Sequence, residues 1–129
     1  MKRPPFLLLI QIAAVFAGCS EGIVTNPNDI VFPSSDVSYA RNVQPLFDLS
    51  CSLSGCHDSY TRGGGLSLDS YFDLIDRPGI VVPGDSARSL LVQVMSGRQI
   101  HAAYPMSKLI NDNQQHGVAV WVQEGASNN

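Results

Sequence analysis

The chain has few of the residues from which enzyme sites, nucleic-acid interfaces and large cores are built. Of its 129 residues only 15% are charged and 8% are aromatic, and there is a single tryptophan. Acidic residues outnumber basic ones by eleven to eight, which argues against nucleic acid and anionic lipid as partners. The sequence presents no serine–histidine–acid constellation, no phosphate-cradling loop and no spaced carboxylate pair. We therefore do not expect an enzyme.

Long hydrophobic runs are also missing, except at the N-terminus. Two basic residues precede the apolar run Pro4–Gly18, whose 15 residues are fewer than the roughly 20 that cross a bilayer. A charged start, a short apolar core and small residues before a cleavage point predict an export signal over residues 1–18. Because no second apolar segment follows, we expect no membrane-spanning helix in the exported protein.

Cysteine is also scarce, since the chain has only three. The small residues before Cys19 resemble the lipobox of bacterial lipoproteins, which implies that Cys19 is lipidated and becomes the new N-terminus. Ordinary signal cleavage with an unmodified Cys19 is the alternative. Either process places the protein outside the cytoplasm, and we expect it on the periplasmic side, held to a bacterial membrane by its lipid alone.

Removal of the signal changes both the charge and the domain boundaries. It takes away two of the eight basic residues and none of the eleven acidic ones, which leaves a net charge of −5. The polar segment 19–35 contains turn-forming Asn-Pro-Asn and Phe-Pro-Ser-Ser sequences and is predicted to be a tether. Residues 36–126 then form a single domain, with 127–129 as a tail.

Hydrophobic spacing predicts helices and no strands, and hence an all-α domain. The first helix is expected over Val37–Leu49 with Asp36 as N-cap, either kinked at Pro45 or with its regular part beginning close to that proline. A short helix is expected over Leu66–Ile75. A clearer one begins at Asp85 and is closed by a glycine, with an apolar stripe at Ala87, Leu90, Leu91, Val94 and Met95, before Gly97.

The last helix has the best-defined ends. Asn111 or Asp112 is expected to open it, and Gly125 to stop it. Its buried face is predicted to consist of Val118, Trp121 and Val122.

Two of the three cysteines lie close together and are followed at once by a histidine, in the order Cys51-Ser-Leu-Ser-Gly-Cys56-His57. Two thiols can add to the two vinyl groups of a porphyrin, and the adjacent imidazole can ligate its iron. Four residues separate the cysteines instead of the usual two, and Gly55 offers the backbone freedom for the longer loop. A domain of about 90 residues has a thin stability margin, and a buried porphyrin would supply much of its apolar core.

A haem held in this way needs a second axial ligand or an open position. Met95 belongs to a helical stripe, so core packing is the simpler interpretation, and His116 is more simply a solvated histidine. His101 and Met106 lie in the loop between the last two helices, which can fold over a porphyrin. Met106, stiffened by Pro105, is the preferred distal ligand and His101 is the alternative.

Residues 39–126 resemble the planctomycete-type cytochrome c domain, a small relative of class I cytochromes c. The resemblance rests on the Cys51–His57 segment and on the following motifs in order: Val43-Gln-Pro-Leu-Phe47, Gly64-Gly-Leu-Ser-Leu-Asp-Ser70, Val82-Pro-Gly-Asp85, Ser89-Leu-Leu91 and Trp121-Val-Gln-Glu-Gly-Ala126. It implies three to four helices around one covalent haem c, with Cys51 and Cys56 as attachment sites. It further implies His57 as proximal ligand, with Met106 at the place of the distal methionine, and redox proteins as partners for one-electron transfer.

Two other readings of the same residues stay open. Cys51 and Cys56 could form a disulfide in a haem-free exported lipoprotein that acts as a binding or structural module. Alternatively, the iron could keep an open position and support sensing or peroxidase-like chemistry. A zinc site is less favoured, because two cysteines and one histidine leave a structural zinc one ligand short.

Overall fold

A computed structural model describes residues 22–129, and this part of the chain is helical without a β-strand. Its α-helices are α1 (Gln44–Ser50), α2 (Tyr71–Ile75), α3 (Leu90–Met95) and α4 (Asp112–Gln123). Single 3-10 turns cover Pro27–Asp29, Gly63–Gly65 and Met106–Lys108, and a π-helical turn, Tyr39–Val43, leads directly into α1. The helical content agrees with the predicted all-α class. The predicted signal and Cys19 lie outside the described residues.

The first helical segment begins two residues later than predicted. The hydroxyl of Ser38 accepts a hydrogen bond from the Arg41 amide at 3.2 Å and so acts as the N-cap. Asp36 has a left-handed backbone (φ 55°), whereas an N-cap residue needs an extended one, so its assignment as N-cap is wrong. Pro45 lies in the first turn of α1, where its missing N–H costs nothing. The regular helix therefore starts beside the proline, as one of the two predicted alternatives had it.

Helix α2 is half as long as predicted because the residues before Ser70 pack beside the cysteine segment and are not helical. The Leu68 amide donates to the carbonyl of His57 at 2.8 Å, which holds residues 66–69 extended beside the cysteine segment. The helix begins only after Ser70, whose hydroxyl accepts from the Asp73 amide at 3.2 Å.

Helix α3 also starts late, at Leu90 instead of Asp85. The buried hydroxyl of Ser89 accepts from the Val82 amide at 2.8 Å and donates to the Asp85 carbonyl at 2.9 Å. These bonds tie Ser89 to residues on both sides of Pro83, and residues 86–88 form a turn before the helix begins. The end is as predicted, because Gly97 adopts φ 73° just after the helix.

Helix α4 confirms its predicted ends and buried face. Asn111 and Gln114 form a reciprocal capping box, each side chain accepting from the other's amide at 3.0 Å. Val118, Trp121 and Val122 are at most 1% exposed. Gly125, at φ 105°, lies just past the helix end.

The chain before residue 36, predicted to be a tether, packs on α4 from Pro27 onward. The buried Gln114 amide donates to the carbonyls of Pro27 at 2.6 Å and Ile30 at 3.2 Å. The buried ring of Phe32 lies against Gly117, where a Cβ would stand only 2.2 Å from ring atoms. The folded unit thus begins earlier than predicted, because Gly117 leaves room for Phe32.

The last residues are also attached. The Asn129 side-chain oxygen accepts from the Tyr39 amide at 2.8 Å, and its backbone oxygen accepts from the Ser38 hydroxyl at 2.8 Å. The Trp121 indole donates to the carbonyl of Ser127 at 2.9 Å. Residues 127–129 therefore pack on the domain and are not a free tail.

The core lies between the π-helical turn, α1 and α4, and the other helices close it from the sides. Its largest fully buried side chains are Trp121, Phe47, Leu46 and Leu74. Tyr39 contacts Trp121 and Tyr71 with ring centroids 5.4 and 5.1 Å apart. Within residues 22–129 no helix has the length and apolarity that a bilayer crossing requires.

Candidate functional site

The segment from Cys51 to His57 leaves the end of α1 and closes into a turn. The Cys51 amide donates to the Phe47 carbonyl at 2.8 Å, which ends the helix. The His57 amide then donates back to the carbonyl of Cys51 at 3.1 Å. Gly55 has φ 86°, the conformation that makes the four-residue spacer possible. Both thiols and the histidine therefore lie on one turn, as the motif predicts.

Cys51 and Cys56 both carry free thiols and are half-buried. Burial raises the pKa of the Cys51 thiol to about 12, with a smaller contribution from the neighbouring Cys56. The Cys51 thiol thus stays protonated at neutral pH.

Two serines flank Cys51. The hydroxyls of Ser50 and Ser52 are buried and have no hydrogen-bond partner among residues 22–129. Buried hydroxyls are rarely left without a partner, so the surroundings of this thiol can accept a further polar group. These serines were not predicted as site residues, and nothing in the local pattern singles them out.

Asp58 organises the turn from the outside. Its carboxylate accepts from the amides of Gly55 at 3.1 Å, Tyr60 at 2.9 Å and Thr61 at 2.8 Å. Hydrogen bonds from Thr61, side chain first and then backbone, lower the pKa of Asp58 to about 2. Sequence reasoning missed this residue, although aspartate commonly bonds to the backbone two residues on in an Asx-turn, as Asp58 does with the Tyr60 amide.

His57 is oriented by the chain that follows it. Its Nδ1 lies 3.2 Å from the carbonyl oxygen of Leu66. Because a carbonyl can only accept, this contact assigns the proton to Nδ1 and leaves the lone pair on Nε2. Gly63 packs on the same turn, since a Cβ there would stand 2.8 Å from the Cys56 carbonyl oxygen. The glycine run after Arg62 thus adjoins the cysteine turn.

The candidate distal residues border a cavity of about 380 Å³ between the end of α3 and the following loop. Its lining includes Met95, His101 and Met106, and its volume is in the range of small-molecule sites. Met95 is buried within the core, in line with its expected packing role. His116 is exposed on α4 and does not line the cavity.

Of the two loop candidates, His101 comes close to His57. Their ring centroids lie 5.9 Å apart, with an angle of 65° between the ring planes. The Nδ1 of His101 accepts from the Tyr104 amide at 3.4 Å. Met106 is 8% exposed and belongs to the core cluster.

Residues 22–129 contain no group of three or more histidine, cysteine or acidic side chains arranged around a common point. That arrangement is what an ion bound only by protein side chains needs. Haem iron takes only its axial ligands from the protein, so a pair of imidazoles, or an imidazole and a thioether, meets its requirement.

The geometry thus brings together the two thiols and His57 on one turn, and places His101 beside His57. Comparison with protein-family models, with curated proteins and with solved structures yields no match for this chain.

Proposed function

We propose that this chain is an exported c-type cytochrome that carries single electrons. In this proposal Cys51 and Cys56 hold one haem c covalently and His57 is its proximal ligand. The observation that carries the proposal is the contact between His57 Nδ1 and the Leu66 carbonyl, on a turn that also holds both thiols. Ligating histidines typically donate their second ring N–H to such an acceptor, which fixes the tautomer and raises the basicity of the other nitrogen.

The donor set fits a covalent haem. Each cysteine Sγ forms a bond to one vinyl carbon while its hydrogen passes to the other carbon, so that the addition consumes neither oxidant nor reductant. Both candidate distal ligands, His101 and Met106, border one cavity, whose lining does not include Cys51, Cys56 or His57.

The haem supplies the one-electron couple, and the chain supplies ligands, burial and a docking surface. His57 keeps its Nε2 directed away from Leu66. The net charge of −5 after removal of residues 1–18 favours redox partners with basic docking surfaces. Lipidation at Cys19 would hold the domain at a membrane on the periplasmic side.

The test is whether haem stays attached after denaturation. The full chain is produced in a host that matures c-type cytochromes, and its pyridine haemochrome spectrum and polypeptide mass are recorded. We expect a c-type spectrum and the mass of the processed chain, from Cys19 with its lipid onward, plus one haem. The matched control is Cys51→Ser/Cys56→Ser, which should lose the covalent haem entirely. A wild-type chain mass without haem, reduced by two hydrogens, would instead establish the disulfide alternative.

A further inference from the structure

We infer that His101, and not Met106, is the axial ligand opposite His57, which makes this a bis-histidine site. The inference rests on the proposed function and specifies its ligand set. It starts from one measured arrangement: the rings of His57 and His101 have centroids 5.9 Å apart although the residues are far apart in the chain.

This separation is compatible with two imidazoles on opposite sides of one metal ion, although ring pairs in edge-to-face contact lie at similar distances. Metal–imidazole bonds are about 2 Å long and the ring centre lies roughly 1 Å behind the bonding nitrogen, so such rings have centroids about 6 Å apart. The angle of 65° between the ring planes is no obstacle, because each ring can turn about its own metal–nitrogen bond.

The nitrogens available are compatible with this arrangement. His57 has Nδ1 engaged with Leu66 and Nε2 available. His101 has Nδ1 facing the Tyr104 amide at 3.4 Å, beyond the usual 2.7–3.2 Å of an N–H hydrogen bond. Coordination through Nε2 of His101 moves the ring proton to Nδ1 and gives up only this weak contact.

Met106 is a core residue at the start of a 3-10 turn. Its carbonyl accepts from the amides of Leu109 at 2.9 Å and Ile110 at 3.0 Å, which anchors it in a 3-10 turn. Its buried side chain packs with the core cluster. His101 lies outside that turn, half-buried, on a stretch with exposed neighbours, so its ring can adjust to a ligand. Replacing a thioether by a second imidazole lowers the reduction potential.

The test uses the matured holoprotein and three variants. His101→Ala removes the inferred ligand, Met106→Leu removes the thioether at similar volume, and His116→Ala removes an exposed histidine as control. We expect wild type to be six-coordinate low-spin in both oxidation states without the weak sulfur-to-iron absorption band. His101→Ala should lose the ferric low-spin spectrum and regain it on addition of imidazole, while the other two variants stay six-coordinate low-spin.

The outcomes separate the two proposals. A wild-type sulfur-to-iron band that is lost in Met106→Leu, or a high-spin wild type with an open position, overturns the assignment of His101 while covalent haem still supports the cytochrome. A wild-type chain without covalent haem overturns the cytochrome itself. Haem content by mass in each variant shows that a changed spectrum reflects the ligand and not loss of the folded holoprotein.

Discussion

The two sides of the candidate site are built differently. The proximal side, from Cys51 to Leu68, is held by backbone hydrogen bonds, by the Asp58 carboxylate and by the close approach of Gly63 to Cys56. The distal stretch 98–105 is largely exposed, with Ile100 at 92% and Tyr104 at 57%. A covalent cofactor needs anchors at a set spacing, whereas an axial ligand from a loop can adapt. In the proposed cytochrome, rigid attachment would thus fall to the first side and adaptable ligation to the second.

The prediction with the largest expected effect concerns the rate at which the Cys51 thiol is alkylated. Only the thiolate is alkylated, and burial raises the pKa of Cys51 from its ordinary 9.0 to about 12. In the haem-free chain at pH 8 we expect iodoacetamide to modify Cys51 more than tenfold more slowly in the folded chain than in urea, as followed by tandem mass spectrometry. Equal rates in the two states would mean that the proximal turn opens as readily as a surface loop.

A smaller effect should follow from filling the space at Gly63. In Gly63→Ala the new Cβ meets the Cys56 carbonyl oxygen at 2.8 Å, a backbone atom that cannot move aside without shifting the turn. We expect a loss of about 1–3 kcal/mol in the free energy of unfolding by urea.

The control change on the distal side is Ala103→Gly, in an exposed position. There we expect the free energy of unfolding to change by at most about 0.5 kcal/mol. Similar losses in the two variants would contradict the difference in rigidity between the two sides.

The sequence could predict the turns and helix ends that depend only on residues close together in the chain. The Cys51–His57 turn, the opening of α4 at Asn111 and its stop at Gly125 are local signals, and the structure has each of them. The predicted start of α3 at Asp85 was wrong. The buried hydroxyl of Ser89 bonds to Val82 and Asp85, which lie on either side of Pro83. Phe32 was placed in a tether because its partner, Gly117, is remote in sequence, and no local periodicity reports such a contact.

The same limit applies to the site. His57 could be predicted from its place after Cys56, but its orientation by the Leu66 carbonyl depends on how residues 63–68 fold back. The choice between His101 and Met106 depends on which loop residue reaches His57 in space. The neighbouring Pro105 and the family resemblance favoured the thioether of Met106, whereas the ring separation favours the imidazole of His101.

The smallest effect, and the one most specific to the proximal side, concerns pH. Hydrogen bonds, above all from Thr61, lower the pKa of Asp58 from 3.8 to about 2. A depressed pKa in the folded state stabilises the protein above pH 3.8, and this contribution is lost as pH falls toward 2. Asp58→Asn removes the charge, so we expect a lower urea midpoint at pH 7 and a smaller further decrease at pH 2.5 than in wild type. Asp76→Asn, at an exposed aspartate after α2, should leave the wild-type pH dependence nearly unchanged. If Asp58→Asn and Asp76→Asn behaved alike, the carboxylate would not be what holds the cysteine turn, and the greater order of the proximal side would rest on its backbone bonds and on Gly63 alone.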